Sequence, residues 1–570
     1  LQQIRGFYAF ADSLDIDRYP VNGTPRSTIL AVREMSLDGV ATSQRNWLND
    51  HLVFTHGYGV VAAADNSAKN DGSPSFTEYD IPPTGSLGVK QPRVYFGEQS
   101  PSYSIVGSPA GGQPRELDYP DDKSANGQAN NTYTGKGGVP VGNLFQRAVF
   151  ALHYRDVNIL LSNQIAPNSK ILYDRDPALR VKKVAPWLTL DRDPYPTVVN
   201  GRIVWIVDGY TSTNDYPYSA RVSLSDATAD STNARSGLNP FSRQDVTYMR
   251  NAVKATVDAY DGTVHIYQWD TKDPILQAWS SAFPGTVEPK TAIPAEVLKH
   301  VRYPEDLFKV QRDILAKYHV NDPEAFYSGQ DFWTVPNDPT RPNLAVAQPP
   351  YYLMLRMPDQ KAPSFSLTTT FAPNRRQTLA AFMSVNADAG SDYGTIRVLQ
   401  LPRNTTIPGP TQVQNNFESD PQVSSQLSLL RQGGSEVQLG NLLSLPVGGG
   451  LLYFEPVYVK ASQGSGYPLL RKVLVSFGSK VAFEDDLKTA LSKVFSGVIV
   501  GPGGGGSGGG TPTGTPTEQL AAALAAASKA YADGQAALAK GDFAAYGVAQ
   551  KRLQAAITRA TQISSKLKAK

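Results

Sequence analysis

The chain of 570 residues contains no cysteine. This absence excludes disulfide bonds, catalysis by a thiolate and zinc sites with cysteine ligands. It does not determine the compartment, because a large protein outside the cytoplasm need not carry disulfides. The chain also has little excess charge of either sign. Its net charge of +3 is too small to indicate nucleic-acid binding.

Long apolar runs are lacking as well. None reaches the roughly 18–20 residues that a membrane-spanning helix requires. The best candidates, Leu442–Phe454 and Val494–Val500, are short and are interrupted by Gly or Pro. A signal peptide is not visible either. Because the chain begins at Leu1 and not at a Met, we expect it to be a fragment, and any membrane anchor would then lie upstream of Leu1.

The motifs of two common enzyme classes are missing. The six histidines form no His-x-x-x-His pair and no His-Glu-x-x-His motif, which disfavours a zinc site. The segment His56–Gly59, HGYG, is similar to the oxyanion loop of esterases. The only Gly-x-Ser-x-Gly match, however, is Gly505–Gly509, in a glycine-rich segment where a strained nucleophile turn cannot form. We expect HGYG to be a tight turn after an apolar strand.

The residues that are abundant indicate many short strands joined by turns. The chain is 41% hydrophobic and contains 28 Tyr, 48 Gly and 42 Pro. We predict an α+β fold with a β-rich mixed body and long loops over residues 1–497, with room for two or more subdomains. A flexible Gly/Thr/Pro linker follows over 501–517. An Ala-rich helical hairpin, broken at Gly541-Asp542, covers 518–570.

Periodicity predicts the main elements of the body. Ala252–Trp269 alternates about Asp261-Gly262 and is predicted to be a hairpin, and Gly201–Gly209 a buried strand. Further strands are predicted at Thr378–Val385, Gly394–Leu401, Leu451–Val459 and Leu470–Phe477. Helices are predicted at Phe145–Leu152, Pro274–Ser281, Pro294–His300, Pro304–Tyr318 and Phe483–Phe495. The segments that begin at Gly201 and Gly449 share a strand, an acid, a Tyr and a Tyr-Pro, either by chance or because a β-unit is duplicated.

Closely spaced carboxylates are candidates for a metal site. Asp12, Asp15 and Asp17 supply the oxygen ligands that calcium prefers, although their spacing is not that of an EF-hand loop. The other interpretation is a solvated acidic loop. A second acidic group with the same two interpretations consists of Asp174, Asp176, Asp191 and Asp193. Calcium is the only cofactor that we consider.

Two segments are candidates for ligand binding. In Tyr133–Gly142, YTGKGGVPVG, glycine-rich backbone beside Lys136 can cradle an anion, or the segment is a plain loop. The stretch WIVDGYTSTNDYPYS can line a sugar groove, or its aromatic residues can pack in the core. Its candidate ligand-binding residues are Trp205, Asp208, Tyr210, Tyr216 and Tyr218.

Several blocks, read in order, resemble one known family. They are IRGFY at Ile4–Tyr8, DIDRY at Asp15–Tyr19, HLVFTHGYGVV at His51–Val61, QPRVYFGE at Gln91–Glu98, NILLS at Asn158–Ser162, DRDPYP at Asp191–Pro196, WIVDGYT at Trp205–Thr211, VDAYDGTV at Val257–Val264, HVRYPEDLF at His300–Phe308 and EPVYV at Glu455–Val459. The family, UPF0182, is an uncharacterised family of large multi-pass bacterial membrane proteins, and the tail looks like its actinobacterial form. The resemblance implies missing N-terminal transmembrane helices followed by this domain on the extracytoplasmic side. It implies no catalytic residues.

These observations favour a non-catalytic extracytoplasmic domain of a cell-envelope protein. We expect it to bind or scaffold an envelope lipid, glycan or protein. Further expected partners are the missing transmembrane helices and a second copy of the chain. We do not expect it to bind nucleic acid. One alternative is an envelope hydrolase that acts on glycan or lipid through paired carboxylates. The other is the outer chamber of a lipid transporter.

Overall fold

The computed structural model describes residues 8–9, 14–21, 23–109, 111–232, 244–402, 406–432, 434–462, 467–495, 516–539 and 542–568. This part of the chain combines many short antiparallel strands with fewer helices, which confirms the α+β prediction. It divides into two compact units. The first contains Leu1–Thr228, Gly237–Ile314 and Asp388–Tyr393, and the second contains Ala229–Ser236, Leu315–Ala387 and Gly394–Lys570.

The first unit contains a five-stranded sheet built around the long strand Arg202–Thr213. Thr189–Leu190 and Tyr195–Val199 both pair with one edge of this strand, the former near its C-terminal end and the latter near its N-terminal end. Tyr248–Asp258 pairs with the other edge, and Val264–Gln268 pairs with Tyr248–Asp258. The predicted hairpin and buried strand are therefore confirmed.

The second unit contains two sheets with the same strand order. In each, two short strands share one edge of a long strand, and two further strands follow on the other edge. The strands of the first sheet are Trp333–Thr334, Tyr351–Leu355, Ser364–Pro373, Ala381–Asn386 and Ile396–Gln400. Those of the second are Ser435–Leu439, Leu443–Val447, Gly450–Ala461, Leu469–Phe477 and Lys480–Glu484.

The sequence echo between Gly201 and Gly449 has a structural counterpart. Asn200 and Gly201, at φ 53° and 82°, turn the chain into one long strand, and Gly448 and Gly449, at φ 57° and 82°, do the same for the other. Two successive residues at positive φ are what a type I′ hairpin turn requires. The register also shifts at the same point of both strands, at Gly209/Tyr210 and at Val457/Tyr458. This agreement favours a duplicated β-unit.

The first unit also contains several other antiparallel sheets. A five-stranded meander contains Asp15–Val21, Thr24–Val32, Val60–Ala68, Pro74–Tyr79 and Thr84–Gly85. A three-stranded sheet consists of Tyr103–Val106, Lys170–Tyr173 and Val139–Pro140. Further strands form pairs, which are Glu116–Pro120 with Gln128–Asn131, Tyr8–Ala9 with Glu34–Met35, Gly57–Tyr58 with Arg93–Val94, and Val222–Ser223 with Asp245–Val246. The apolar strand predicted before HGYG is wrong, because Asn49–Val53 is a helical turn and Gly57–Tyr58 is itself a short strand.

Helices connect and cover these sheets. They are Leu144–Tyr154, Asn158–Leu161, Pro177–Val184, Leu224–Ala227, Pro274–Ala282, Ala295–Leu298, Glu305–Tyr318, Pro323–Ser328, Pro410–Ser419, Pro421–Leu430 and Leu487–Phe495, with short 3₁₀ turns at Leu37–Gly39, Thr42–Gln44 and Lys290–Ala292. The predicted helix Phe483–Phe495 begins four residues late, because Lys480–Glu484 forms the edge strand of a sheet.

The C-terminal helices Pro516–Ala539 and Phe543–Lys568 form the predicted hairpin. Small side chains let them approach closely, and Ala530 and Ala549 are buried between them. The predicted linker lies outside the described residues over 501–515. Each unit has its own apolar core, which includes Trp205, Val207 and Val253 in the first unit and Phe417, Val457 and Leu474 in the second.

Candidate functional site

Charged side chains from five separate segments of the first unit meet inside it. The segments are the strand Asp15–Val21, the DRDPYP motif, the long strand Arg202–Thr213, its neighbour Tyr248–Asp258, and the HVRYPEDLF motif. We call this group the ion-pair cluster. It consists of Asp15, Asp17, Asp191, Arg192, Asp193, Asp208, Lys254, His300, Arg302 and Asp306.

Arg302 joins two of the acidic segments. One terminal nitrogen of its guanidinium donates to Asp15 at 2.5 Å, and the other donates to Asp193 at 2.7 Å. The guanidinium carbon lies 3.9 Å from the centroid of the Tyr195 ring. A planar cation with donors on two edges is suited to such a bridge. Asp193 is the most open of these groups, because its side chain is 42% exposed.

Asp17 is held by a histidine. Its Oδ2 atom lies 2.7 Å from Nδ1 of His300 and accepts a hydrogen bond of 2.9 Å from the Thr197 hydroxyl. Burial by itself would raise the pKa of Asp17, but His300 and Arg18 outweigh that effect and hold the pKa below its usual value. Asp17 is therefore a buried carboxylate whose charged form is stabilised by its neighbours.

Lys254 and Asp208 form an ion pair between neighbouring strands. Both side chains are almost fully enclosed. The Lys254 ammonium also donates to the Arg302 carbonyl at 2.9 Å, and the Asn251 amide donates to Asp208 at 2.9 Å. Burial lowers the pKa of Lys254, although Asp208 opposes this shift. A buried charge with a partner and further hydrogen bonds is the arrangement that a protein interior tolerates.

Asp191 lies between two other acids. It accepts hydrogen bonds from the Tyr210 hydroxyl and, at 3.1 Å, from the backbone N–H of Asp306. Burial raises the pKa of Asp191 to about 7, and repulsion by Asp306 and Asp208 adds to this effect. The Asp306 carboxylate is itself paired with Arg192 at 2.8 Å. Burial also raises the pKa values of Asp15 and Asp193, so Asp191 is one of three acids of the cluster with a raised pKa.

The structure separates the predicted sugar-groove residues. Asp208 and Tyr210 lie in the ion-pair cluster and are buried. Trp205 is in the apolar core, where its indole N–H donates to the Phe96 carbonyl at 2.9 Å. Tyr216 and Tyr218 are exposed in the loop after the strand. Core packing therefore explains Trp205, and these five residues do not line one groove.

The predicted calcium site is only partly described. Asp12 lies outside the described residues, whereas Asp15 and Asp17 face Arg302 and His300. Among the residues that the structure describes, no three His, Asp or Glu side chains are placed to hold a metal ion together. The solvated-loop interpretation is wrong for Asp15 and Asp17, because both are buried.

The second acidic group is split. Asp191 and Asp193 belong to the ion-pair cluster, whereas Asp176 caps the helix Pro177–Val184 by accepting from the Leu179 N–H at 2.6 Å. Asp174 lies 3.9 Å from Lys183 on the surface. Proximity in the sequence therefore did not predict which acids share a site.

Lys136 is exposed on a shallow surface groove. The groove has a volume of about 360 Å³ and is also lined by Arg180, Asp261 and Gly262. The Arg180 guanidinium is directed to the backbone carbonyl of Gly262 at 2.9 Å. The anion nest at Lys136 stays a prediction.

The sequence analysis missed the cations of the cluster. Lys254 stands between Val253 and Ala255 in the buried middle of its strand, and a charge in such a position requires a buried partner. Arg302 and Asp306 lie in the HVRYPEDLF motif, which the resemblance had singled out without giving it a role. With these cations included, each of Asp15, Asp193, Asp208 and Asp306 has an Arg or Lys partner, and the cluster joins five segments of the fold.

Comparison with known proteins assigns the chain to a family. The sequence pattern of the uncharacterised protein family UPF0182 matches residues 1–430. UPF0182 proteins of Leifsonia xyli subsp. xyli and Streptomyces coelicolor are each 49% identical to the chain over 98% and 99% of its length. The matches cover 61% and 56% of those relatives, so the chain spans about three fifths of their length. No solved structure matches the chain.

Two further findings bear on the resemblance noted from the sequence. Across the described residues, no helix has both the length and the apolar character needed to cross a membrane. The motifs DIDRY, DRDPYP, WIVDGYT and HVRYPEDLF all contribute to the ion-pair cluster. From the pattern match and the identity to its actinobacterial relatives, the chain belongs to the uncharacterised protein family UPF0182.

Proposed function

We propose that this chain is a non-catalytic binding or scaffolding domain on the extracytoplasmic side of a multi-pass envelope protein. The location rests on the family resemblance. The absence of catalysis rests on the ion-pair cluster, where the acids already have partners. Asp15 and Asp193 share Arg302, Asp17 faces His300, and Asp208 is paired with Lys254.

The hydrolase alternative requires two carboxylates that are open to a substrate. Within the cluster, Asp193 is 42% exposed, but its neighbour on Arg302, Asp15, is buried. Asp191, which titrates near neutral pH, is buried as well. This arrangement favours a cluster that holds segments of the fold together over one that attacks a substrate.

The test uses the full-length protein, purified in mild detergent from its own membrane. Native mass spectrometry with lipid extraction is expected to detect a bound lipid, glycan or protein, or a defined oligomer. The mass of the bound molecule is expected to stay the same after incubation, because the domain does not turn it over. Turnover of an envelope glycan or lipid that stops in Asp193→Asn or Asp191→Asn would contradict the proposal. Glu296→Gln, in an exposed ion pair with Lys299, is the matched control.

A further inference from the structure

The helix Leu144–Tyr154 is apolar on two opposite faces. On one face, Phe150, Ala151 and Tyr154 pack against the cluster of buried residues that contains Ile159 and Ile171. On the other face lie Leu144, Phe145, Val149 and Leu152, which are 71%, 78%, 49% and 81% exposed. At 100° per residue, these four side chains fall within one side of the helix. A helix that is apolar all round is normally buried.

The exposed surface continues beyond this helix. Val157 and Leu161 are 58% and 73% exposed, whereas Ile159 between them is fully buried and anchors the segment. We call the six exposed side chains, Leu144, Phe145, Val149, Leu152, Val157 and Leu161, the apolar face. If each side chain exposes on the order of 100 Å² of apolar surface, the six together reach or exceed the area of the largest apolar patch on a typical monomer, which is roughly 300–600 Å². A surface of this kind indicates a binding partner.

The apolar face is held in place by the fold. The Asn143 side chain caps the helix by accepting from the Gln146 N–H at 2.9 Å. The Arg147 guanidinium donates to the backbone carbonyls of Val141, Ser162 at 3.0 Å and Ile165, which ties the helix to the segment that follows it. The face is therefore preformed, and binding through it requires no ordering of this helix.

A permanent cation lies beside the face. Arg155 is exposed at the C-terminal end of the helix, and His153 is exposed next to it. The only carboxylate between residues 143 and 164 is Asp156, which accepts hydrogen bonds from Trp47 at 2.7 Å and Tyr103 at 2.5 Å. Leu, Phe and Val beside an exposed Arg are the side chains of an interfacial helix on an anionic membrane.

We propose that the apolar face binds the surface of an anionic phospholipid bilayer, with Phe145 and Leu152 at the depth of the upper acyl chains. Arg155 then lies at the level of the headgroups, where a basic residue adds attraction to anionic lipid. This inference rests on the envelope location that we propose for the chain, and it identifies lipid as the ligand class. It also gives the domain a fixed orientation on the membrane.

The test is flotation of the 570-residue chain with vesicles of phosphatidylglycerol and phosphatidylethanolamine. The double variant Phe145→Ser/Leu152→Ser is expected to reduce the bound fraction by about tenfold or more, because burial of each side chain favours binding. Arg155→Gln is expected to weaken binding to these vesicles and to leave weaker binding to phosphatidylcholine vesicles unchanged. Both changes are on the surface and leave the core intact.

The matched control is Leu429→Ser. Leu429 is 63% exposed on a helix of the other unit, so its loss is expected to leave vesicle binding unchanged. No flotation of the unmodified chain, or equal flotation of the double variant, overturns the inference. A dimer in sedimentation equilibrium that the double variant dissociates, together with no flotation, assigns the face to a second copy.

The two proposals fail separately. Absence of vesicle binding, with a ligand or partner still retained by the full-length protein, overturns the lipid inference alone. Turnover of an envelope substrate, with vesicle binding intact, overturns the non-catalytic function alone.

Discussion

The Lys254–Asp208 pair shows how a buried charge is kept in this fold. The two side chains are 2% and 3% exposed, and both reach further partners, the Arg302 carbonyl and the Asn251 amide. Removing one member of such a pair leaves the other as an uncompensated charge in a medium that solvates it poorly. Removing both charges relieves this problem.

Lys254→Met is therefore expected to lower the free energy of unfolding by about 3–5 kcal/mol. The double variant Lys254→Met/Asp208→Asn is expected to recover part of this loss. Tryptophan fluorescence during urea unfolding measures the effect, since five of the six tryptophans lie in the first unit. Lys299→Met, in an exposed pair with Glu296, should lower stability by less than about 1 kcal/mol. Equal effects of both substitutions would contradict the prediction.

Asp191 gives the first unit a pH dependence. Its pKa is about 7 in the fold and about 3.9 in an unfolded chain, so the folded state binds the proton more tightly. Its contribution to stability is complete below about pH 4, and it is lost as the pH rises to about 7. Asp191→Asn is expected to flatten this part of the profile, measured as the urea midpoint from pH 4 to 8. An unchanged slope would show that other groups cause the pH dependence.

At the scale of elements, an Asp-Pro pair marks the start of four helices. Asp176, Asp273, Asp322 and Asp420 each accept hydrogen bonds from backbone N–H groups of the first turn, and the following Pro occupies the first helical position. Only the helix after Asp273 was predicted from the sequence. The other three helices, of six to ten residues, were not predicted, although each begins with the same Asp-Pro capping signal.

Asp273 has more partners than an ordinary cap. Besides the N–H groups of Ile275 and Leu276, its buried carboxylate accepts from the hydroxyls of Thr211 at 2.5 Å and Tyr248 at 2.6 Å. Asp273→Ala is expected to reduce the free energy of unfolding by about 2–4 kcal/mol, because the helix loses its cap and two hydroxyls lose their acceptor.

The comparison for this prediction is Asp176→Ala in the same unit. Asp176 accepts from a single N–H group, that of Leu179, within hydrogen-bonding distance, so the expected loss is about 1 kcal/mol. Urea unfolding followed by tryptophan fluorescence measures both variants. If the two losses are the same, the hydroxyl contacts of Asp273 contribute nothing to stability.

Local patterns predicted single elements but not the site. Alternation found the hairpin Ala252–Trp269, and composition found the C-terminal helices, because both signals lie within a few turns of chain. The partners of Asp15 and Asp17 are Arg302 and His300, which lie more than 280 residues away. Spacing along the chain carries no information about such pairs. The two acids were therefore interpreted as calcium ligands, although the side chains that hold them come from another segment.

At the scale of the whole molecule, one five-stranded arrangement occurs three times. The sequence echo detected two of the three, because the segments from Gly201 and Gly449 share a strand, an acid, a Tyr and a Tyr-Pro. Both long strands also follow a two-residue turn with glycine. The third long strand, Ser364–Pro373, follows Tyr351–Leu355 through a longer connection and left no such signal. The three sheets thus share their topology although their side chains differ.

The acids of the two long strands that share the echo do not occupy the same position. The acid of one long strand is Asp208, whereas that of its counterpart, Glu455, is displaced by one residue. A shift of one residue places a strand side chain on the opposite face.

Glu455 gives the second unit a titrating acid of its own. The side chain is fully buried, and the Gln414 amide nitrogen, oriented to donate, lies 2.9 Å from it. Burial raises the pKa of Glu455 to about 8, and Glu418 adds to this effect while Gln414 opposes it. The folded state therefore binds this proton more tightly than the unfolded chain, whose glutamates titrate near 4.3. The resulting stability is complete below that value and is lost as the pH rises to about 8.

Glu455→Gln is expected to remove this loss from the second unit and to leave the first unit unchanged. The measurement is hydrogen exchange by mass spectrometry from pH 5 to 8, corrected for the intrinsic exchange rates. Peptides from Gly450–Ala461 and Leu469–Phe477 report on the second unit, and peptides from Arg202–Thr213 and Tyr248–Asp258 report on the first. Asp191→Asn should produce the reverse pattern, because each unit has its own core and its own buried acid. If either substitution changes the protection of both sets of peptides equally, the two acids do not act within separate cooperative units.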